Sequence, residues 1–424
     1  MRGAIDTAEG ASRERRYRLA LAAILLLALA VRVLARAATG AAEFYATSYS
    51  DYAPAARALA EGRGYLNRAD IPLTDRPPLY ALFVALLHGY RDFWPMVAAQ
   101  SLVSTGTVAC AALIARQLAG RRAALIAAAI VAIYPYYVRH DTALQETGLF
   151  TFVTALAMLL FLVARERRTA LSAAAAGAML GLATLTRPTV APLIPLAAGW
   201  LALSHASGVN WASRVRGSLL ALAAALAVLS PWLVRQHAVL GYWAFSTDFG
   251  RTLFVGNNPD TFAFYPKASI DKSQALAWRH SWPEAVRAGL ERNIYAPGNG
   301  RWLRDRALRY IHAHPEVFVV NTVRKNIAAF GISPSPRHGL AENLAHALSY
   351  GPVLLLALIG LWRERQRWRL YSLFYALILV FVGETAVLWG HTSHRAFLDV
   401  YLIVFAAVAL APWMKRAVSA KSGA

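Results

Sequence analysis

Apolar residues in this chain gather into long runs separated by short polar blocks. Ten runs lie near 17–37, 94–115, 122–135, 147–164, 170–186, 189–204, 217–234, 344–362, 370–389 and 396–414. A helix needs ~20 residues to cross the hydrocarbon core, so runs of this length read as membrane spans. Soluble cores divide their apolar residues into shorter amphipathic pieces. The pattern predicts an all-α integral membrane protein with about ten transmembrane helices, one domain over 1–424.

The polar blocks between the runs are unevenly charged. One side receives Arg13, Arg15, Arg16 and Arg18, then Arg116, Arg121 and Arg122, then Arg165, Arg167 and Arg168. Arg214 and Arg216, the Arg363, Arg365, Arg367 and Arg369 block, and Lys415 with Arg416 follow on the same side. The short turns opposite hold one arginine each: Arg139, Arg187 and Arg395. That asymmetry predicts cytoplasmic tails at 1–16 and 415–424. It places two long segments outside, a first loop over 38–93 and a second over 235–343. Both are rich in Trp, Tyr and Phe, which argues for order. Within the second, 301–314 and 316–330 read as amphipathic helices suited to a membrane interface, apolar positions on one face and basic ones opposite. Gly177 and Gly181 form a G-x-x-x-G in the fifth run and read as helix packing. The first run follows a basic start and ends at Ala35-Arg36-Ala37, which also suits a cleaved secretory signal; a retained span is the preferred reading.

Composition adds little that contradicts this. Hydrophobic residues make up 57% of the 424, and the net charge is +21. In a soluble chain that charge suggests nucleic acid. Here it follows the topology, so membrane lipid is the expected partner and nucleic acid is not. The single cysteine, Cys110, lies in an apolar run, so neither an internal disulfide nor a cysteine metal site is available.

The residues with chemical potential gather near the outer ends of the runs. Asp51 follows the first span; it suits a general base toward a sugar hydroxyl, and equally a cap for a helix starting at Tyr52. Asp75-Arg76 precedes Pro77-Pro78 at a helix start, and the Arg76 fork suits a phosphate. In the turn after the third run stand Asp141 and Glu146, the latter at a helix N-terminus whose dipole favours an acid. Arg187 sits in a Thr-Arg-Pro turn. His391 and His394, i and i+3, precede Arg395 and form only a weak metal signal. The segment containing Arg251, Asn257 and Asn258 reads as a turn without phosphate-loop spacing.

The order of these blocks is more specific than any one of them. SDYAPAARALAEGRGY, RPPLYALFVALL, the YP…QETGLF turn, GLATLTRP, SPWLVRQH, GRTLFVGNNP and RALRYIHAHPEVF follow in order from Ser50 to Phe318, within a likeness that extends from Arg32 to Arg395. In this the chain resembles the GT-C class of lipid-dependent membrane glycosyltransferases, glycosyltransferase family 39-like. The nearest group is the bacterial branch related to protein O-mannosyltransferases and to the aminoarabinose and galacturonic-acid transferases of lipopolysaccharide. The resemblance implies an enzyme that takes a sugar from a polyprenyl-phosphate-linked donor and places it on a glycan, lipid or protein acceptor outside the cytoplasm. It implies Asp51 as base, Asp75-Arg76 as the pair whose arginine holds the lipid phosphate, and Glu146 as the acid of the second outer turn. Protein mannosyltransferases usually carry two adjacent acids in the first loop. Here Asp51 is followed by Tyr52, which favours the lipid- or glycan-modifying branch.

Such a donor leaves as a phosphate whose charge grows as the anomeric bond breaks, and fixed cations stabilise it. Arg76, Arg251, Arg187 and Arg395 are the candidates. No cofactor is required, and a divalent metal is possible but not indicated. A secondary transporter of ten spans is one rival, but it would show broken helices, midplane charges and often an internal repeat. A non-catalytic membrane scaffold is the other.

Overall fold

The computed structural model describes residues 2–46, 51–141, 143–204, 210–294, 296, 298–332 and 339–421, with side chains from residue 10 to 413. Lys415 and Arg416, expected to mark one membrane face, lie outside the described side chains. Among the described residues sixteen α-helices follow in order: α1 (Arg2–Ala46), α2 (Tyr52–Ala60), α3 (Leu79–Leu86), α4 (Phe93–Ile133), α5 (Pro135–Asp141), α6 (Thr147–Arg167), α7 (Ala170–Thr184), α8 (Leu193–Leu203), α9 (Trp211–Leu240), α10 (Asp248–Gly256), α11 (Gln274–Arg287), α12 (Asn299–Ala313), α13 (Pro315–Phe330), α14 (Leu340–Arg363), α15 (Trp368–Val387) and α16 (Thr392–Lys421). The all-α membrane architecture expected from the sequence is what the chain adopts.

Among the described residues seven helices are long and apolar enough to cross a membrane, and two shorter apolar ones occupy 170–184 and 188–203. The 41-residue α4 carries two of the runs. Straight, it would span about 60 Å, twice the ~30 Å hydrocarbon core. It is broken at Gly120, whose φ of 83° suits a residue without a side chain. A buried cation proves the reversal. Arg32 of α1 donates to Ser104 at 2.5 Å and to the Ala132 carbonyl at 2.8 Å. In a straight helix those two residues would stand about 42 Å apart.

Two close packings hold the bundle. α7 meets α9 through the predicted glycine pair: a Cβ on Gly177 would fall 1.9 Å from the Ala221 carbonyl oxygen, and one on Gly181 2.9 Å from that of Ala225. Small residues there let two backbones approach. α16 is the buried centre of the other half, packed on α4, α6, α13 and α14. Gly360 of α14 lies against the Phe405 carbonyl of α16.

The loop segments are ordered by their own cores. Phe44, Tyr52, Tyr65, Leu73, Tyr80 and Trp232 join α1, α2, α3 and α9. Leu253, Phe254, Leu303 and Ala307 join α10 to α12. The amphipathic helices expected at 301–314 and 316–330 are α12 and α13. α13 is oriented opposite to a soluble helix: Asn321, Lys325 and Ala329 are buried, while Val319, Val323 and Ile327 face out. Its polar stripe has partners inside, because Lys325 donates to Asn257 Oδ1 at 2.9 Å and to the carbonyls of Ala386 and Val387. The outward aliphatic stripe suits a lipid neighbour.

Candidate active site

A cavity of about 1340 Å³ opens where the two large loops meet the helix ends. Asp51 and residues from 67 to 76 form one wall, residues within 265–271 and 291–296 another. α5, the start of α14 and the turn 389–394 complete it. Asp51, Asp75, Arg76, His391 and His394, all singled out in the sequence, line this one space.

Asp51 stands before α2, yet its side chain makes no capping hydrogen bond. Its Oδ1 accepts instead from Arg68 Nε at 2.7 Å, with the Asp51 side chain about a quarter exposed. The helix-cap alternative therefore has no support in the geometry.

Arg76 is held by the backbone around it. Tyr65 donates its hydroxyl to the carbonyls of Arg76 and Pro77, and Pro78 caps α3. The guanidinium lies 3.9 Å from Asp75 and from Asp248. Its Nε is buried without a hydrogen-bond partner. Burial opposes the charge, but Asp248, Tyr52, Asp75 and Glu146 hold the group well above the ordinary arginine pKa. That Nε faces Asp75 Oδ2 at 3.9 Å, beyond hydrogen-bond reach, and the side chain as a whole is a quarter exposed to the cavity.

The two aspartates beside Arg76 are shifted in opposite senses. Burial raises Asp75 above the usual aspartate range, with Arg76 opposing and Asp248 adding to the shift. Asp248 is pulled down to about 2: burial opposes, but Arg251 and then Arg76 outweigh it. The difference is geometric. Asp248 receives Arg251 in a fork, Nε to Oδ1 at 2.5 Å and Nη2 to Oδ2 at 2.8 Å.

The remaining arginine candidates are engaged with acids. Arg187 donates twice to Glu146 Oε1, at 2.9 and 2.7 Å, and once to Thr147. Glu146 is buried, and neither member of the pair lines the cavity. Arg251 is spoken for by Asp248 and Gln274. Arg395 is fully buried, paired with Asp399 at 2.9 Å, stacked over Tyr350 and donating to the Ala329 carbonyl. Asp141 pairs with Arg32 at 3.4 Å and takes the Ser104 hydroxyl. Asn257 and Asn258 return their amides to carbonyls of α10, closing the turn after it.

The sequence reading missed several groups. Arg68 and Asp248 carried no motif. Arg139, paired with Glu342, and His140 line the cavity. Burial, with Arg139, His391 and Arg187 adding to it, pulls His140 down to about 4, so it is neutral near pH 7. The His391 and His394 rings stand 6.3 Å apart. Among the described residues no group of three or more His, Cys, Asp or Glu side chains converges.

Residues 75–234 match the model of the dolichyl-phosphate-mannose-protein mannosyltransferase family, less than half of the chain. Three solved structures of one archaeal enzyme, the Archaeoglobus fulgidus oligosaccharyltransferase, are similar over nearly the whole chain. AglB in complex with an inhibitory peptide and a dolichol-phosphate superposes with a TM-score of 0.56 at 15% identity, over 97% of this chain and 52% of that one. The form tethered to an acceptor peptide containing the NVT sequon gives 0.54 at 15%, over 93% and 50%. The complex with Zn and sulfate gives 0.53 at 14%, over 93% and 49%. The fold is that of the GT-C class. No curated protein matches the sequence. The chain spans about half the length of the archaeal enzyme. The GT-C resemblance carried by the sequence blocks thus holds for the fold, and the matched family segment begins at Asp75 of the cavity wall.

Proposed function

We propose that the chain is an inverting glycosyltransferase that moves a sugar from a polyprenyl-phosphate-linked donor to a hydroxyl or phosphate of a cell-envelope glycan, lipid or protein. The observation that carries this is Arg76: a guanidinium one quarter exposed, whose Nε makes no hydrogen bond, in the same cavity as Asp51. The family match and the dolichol-phosphate bound by the archaeal relative favour a lipid-phosphate donor.

Asp51 removes the proton of the acceptor hydroxyl, and the acceptor oxygen forms a bond to the anomeric carbon. The carbon–oxygen bond to phosphate breaks, and the polyprenyl phosphate leaves with the electron pair. Arg76 stabilises the charge that grows on it. Asp75 and Asp248 keep Arg76 in place. Arg187, Arg251 and Arg395, each bound to an acid, shape the site rather than hold the phosphate. Glu146 serves as the partner of Arg187. The arginine asymmetry supports cytoplasmic termini and a cavity on the outer face, here proposed to be the periplasmic face of a bacterial inner membrane.

Cells lacking the protein should accumulate a polyprenyl-monophosphate sugar, and cells carrying Arg76→Ala should accumulate the same lipid. Purified protein given that lipid and a membrane extract as acceptor should release polyprenyl phosphate as the sugar passes to the acceptor, and should make no use of nucleotide sugars. A deletion strain with an unchanged lipid-linked sugar profile would sink the reading.

A further inference from the structure

Residues 65–73 form a tight hairpin in the first loop. Leu66 and Pro72 pair as an antiparallel bridge. Asn67 N donates to the Ile71 carbonyl at 2.8 Å and Leu73 N to that of Tyr65 at 3.0 Å. The Asn67 side chain closes the turn by accepting from the amides of Ala69 and Ile71. Two other arginines pin this hairpin. Arg235 of α9 donates to the carbonyls of Tyr65 and Leu73, both at 2.9 Å. Arg63 pairs with Asp70 and with Glu61.

Those pairings leave one charged side chain of the hairpin for the cavity. Arg68, at its tip, donates Nε to Asp51 Oδ1 at 2.7 Å. Its side chain is 73% exposed. Among the described residues the Asp51 carboxylate shows one hydrogen bond, the one from Arg68 to Oδ1. An exposed pair of two mobile side chains contributes little by itself. This one is presented by a hairpin fixed at its neck and tip, which reduces the freedom lost in forming it.

We propose that Arg68 is a positioning residue for the base: it fixes the Asp51 carboxylate through Oδ1 and leaves Oδ2 to take the acceptor proton. The inference rests on Asp51 being that base. A carboxylate without Arg68 turns about its last bond and spends less time aimed at the hydroxyl, so the loss falls on turnover rather than on donor binding.

The test uses full-length protein and, as donor, the lipid-linked sugar purified from the deletion strain. Arg68→Ala should lower kcat roughly 10- to 100-fold with the donor KM unchanged. Arg68→Lys should regain part of the rate, a rescue that a purely structural role would not show. The thermal midpoints of both variants should match wild type, because Arg235 and Arg63 still pin the hairpin. A raised donor KM at unchanged kcat would make Arg68 a donor ligand and overturn the inference. A wild-type rate in Arg68→Ala beside an inactive Asp51→Asn overturns it while leaving the base assignment intact. An active Asp51→Asn removes the base assignment and this inference with it.

Discussion

Asp248→Asn tests the electrostatic frame around Arg76 most directly. Asp248 faces two guanidiniums, bound in a fork by Arg251 and 3.9 Å from Arg76. Its carboxyl lies at about 2 against an ordinary 3.8. One pKa unit corresponds to ~1.4 kcal/mol, so the ionised form contributes roughly 2 kcal/mol to folding. The side chain is 16% exposed, so solvent screening removes little of it. The sign follows from a depressed acid: the contribution is complete above about pH 4 and is lost as pH falls toward 2. Asparagine keeps one acceptor for Arg251 but no charge. Purified in detergent at pH 7, Asp248→Asn should therefore be less stable than wild type by about 2 kcal/mol in denaturant-induced unfolding. The gap should narrow when both are measured at progressively more acidic pH below 4. Equal stability at pH 7 would refute the reasoning, since Asp248 would then not be carrying the two arginines.

Asp75 supplies the opposite sign. Its carboxyl is raised chiefly by burial, so ionising it disfavours the fold, and Asp75→Asn should be neutral or stabilising at pH 7 in the same unfolding assay. Asp51→Asn should abolish transfer, with a loss of about 10²–10⁴-fold. Its stability should move by less than ~1 kcal/mol, because the Arg68 partner is largely exposed. Near wild-type turnover in a transfer assay would refute the base assignment. Arg76→Ala should weaken use of the donor and Arg76→Lys should restore part of it, charge returning without the bidentate fork; equal donor kinetics in the two variants would count against phosphate binding. Gly177→Ala should cost about 1–3 kcal/mol by forcing α7 off α9, read as a lowered unfolding midpoint.

How far the chain could be read without coordinates depended on the range of the interaction. All ten apolar runs are helical, because length and hydropathy are local. The Gly177 pair was legible for the same reason. Asp51 and Arg76 were reached through the order of blocks, and both line the cavity. The partners were not legible. Arg32 finds Asp141 at a separation of 109 residues, and Arg187 finds Glu146 at 41. An acid at a helix start reads alike whether it meets substrate or a neighbouring arginine. For Glu146, only the fold shows that a guanidinium occupies its carboxylate. Arg395 and Asp399 are four apart on one helix, so that pair stood open to inspection.

α13 shows a different limit. Its alternation of apolar and polar positions fixed a helix, but periodicity does not say which face turns inward. In water the aliphatic stripe must be buried, and Lys325 would point out. Beside lipid the rule loses its sign, since hydrocarbon receives Val319, Val323 and Ile327 at no cost. The polar stripe is then free to go inside if it can be satisfied there, and Asn257 with two α15 carbonyls satisfies Lys325. That choice bears on the proposed site. Ala328 and Gly331, at the end of the same helix, line the cavity, and Asn257 belongs to the segment that begins with Asp248 and Arg251. The Lys325 clamp thus ties α13, with its outward aliphatic stripe, to the segment whose aspartate lies beside Arg76.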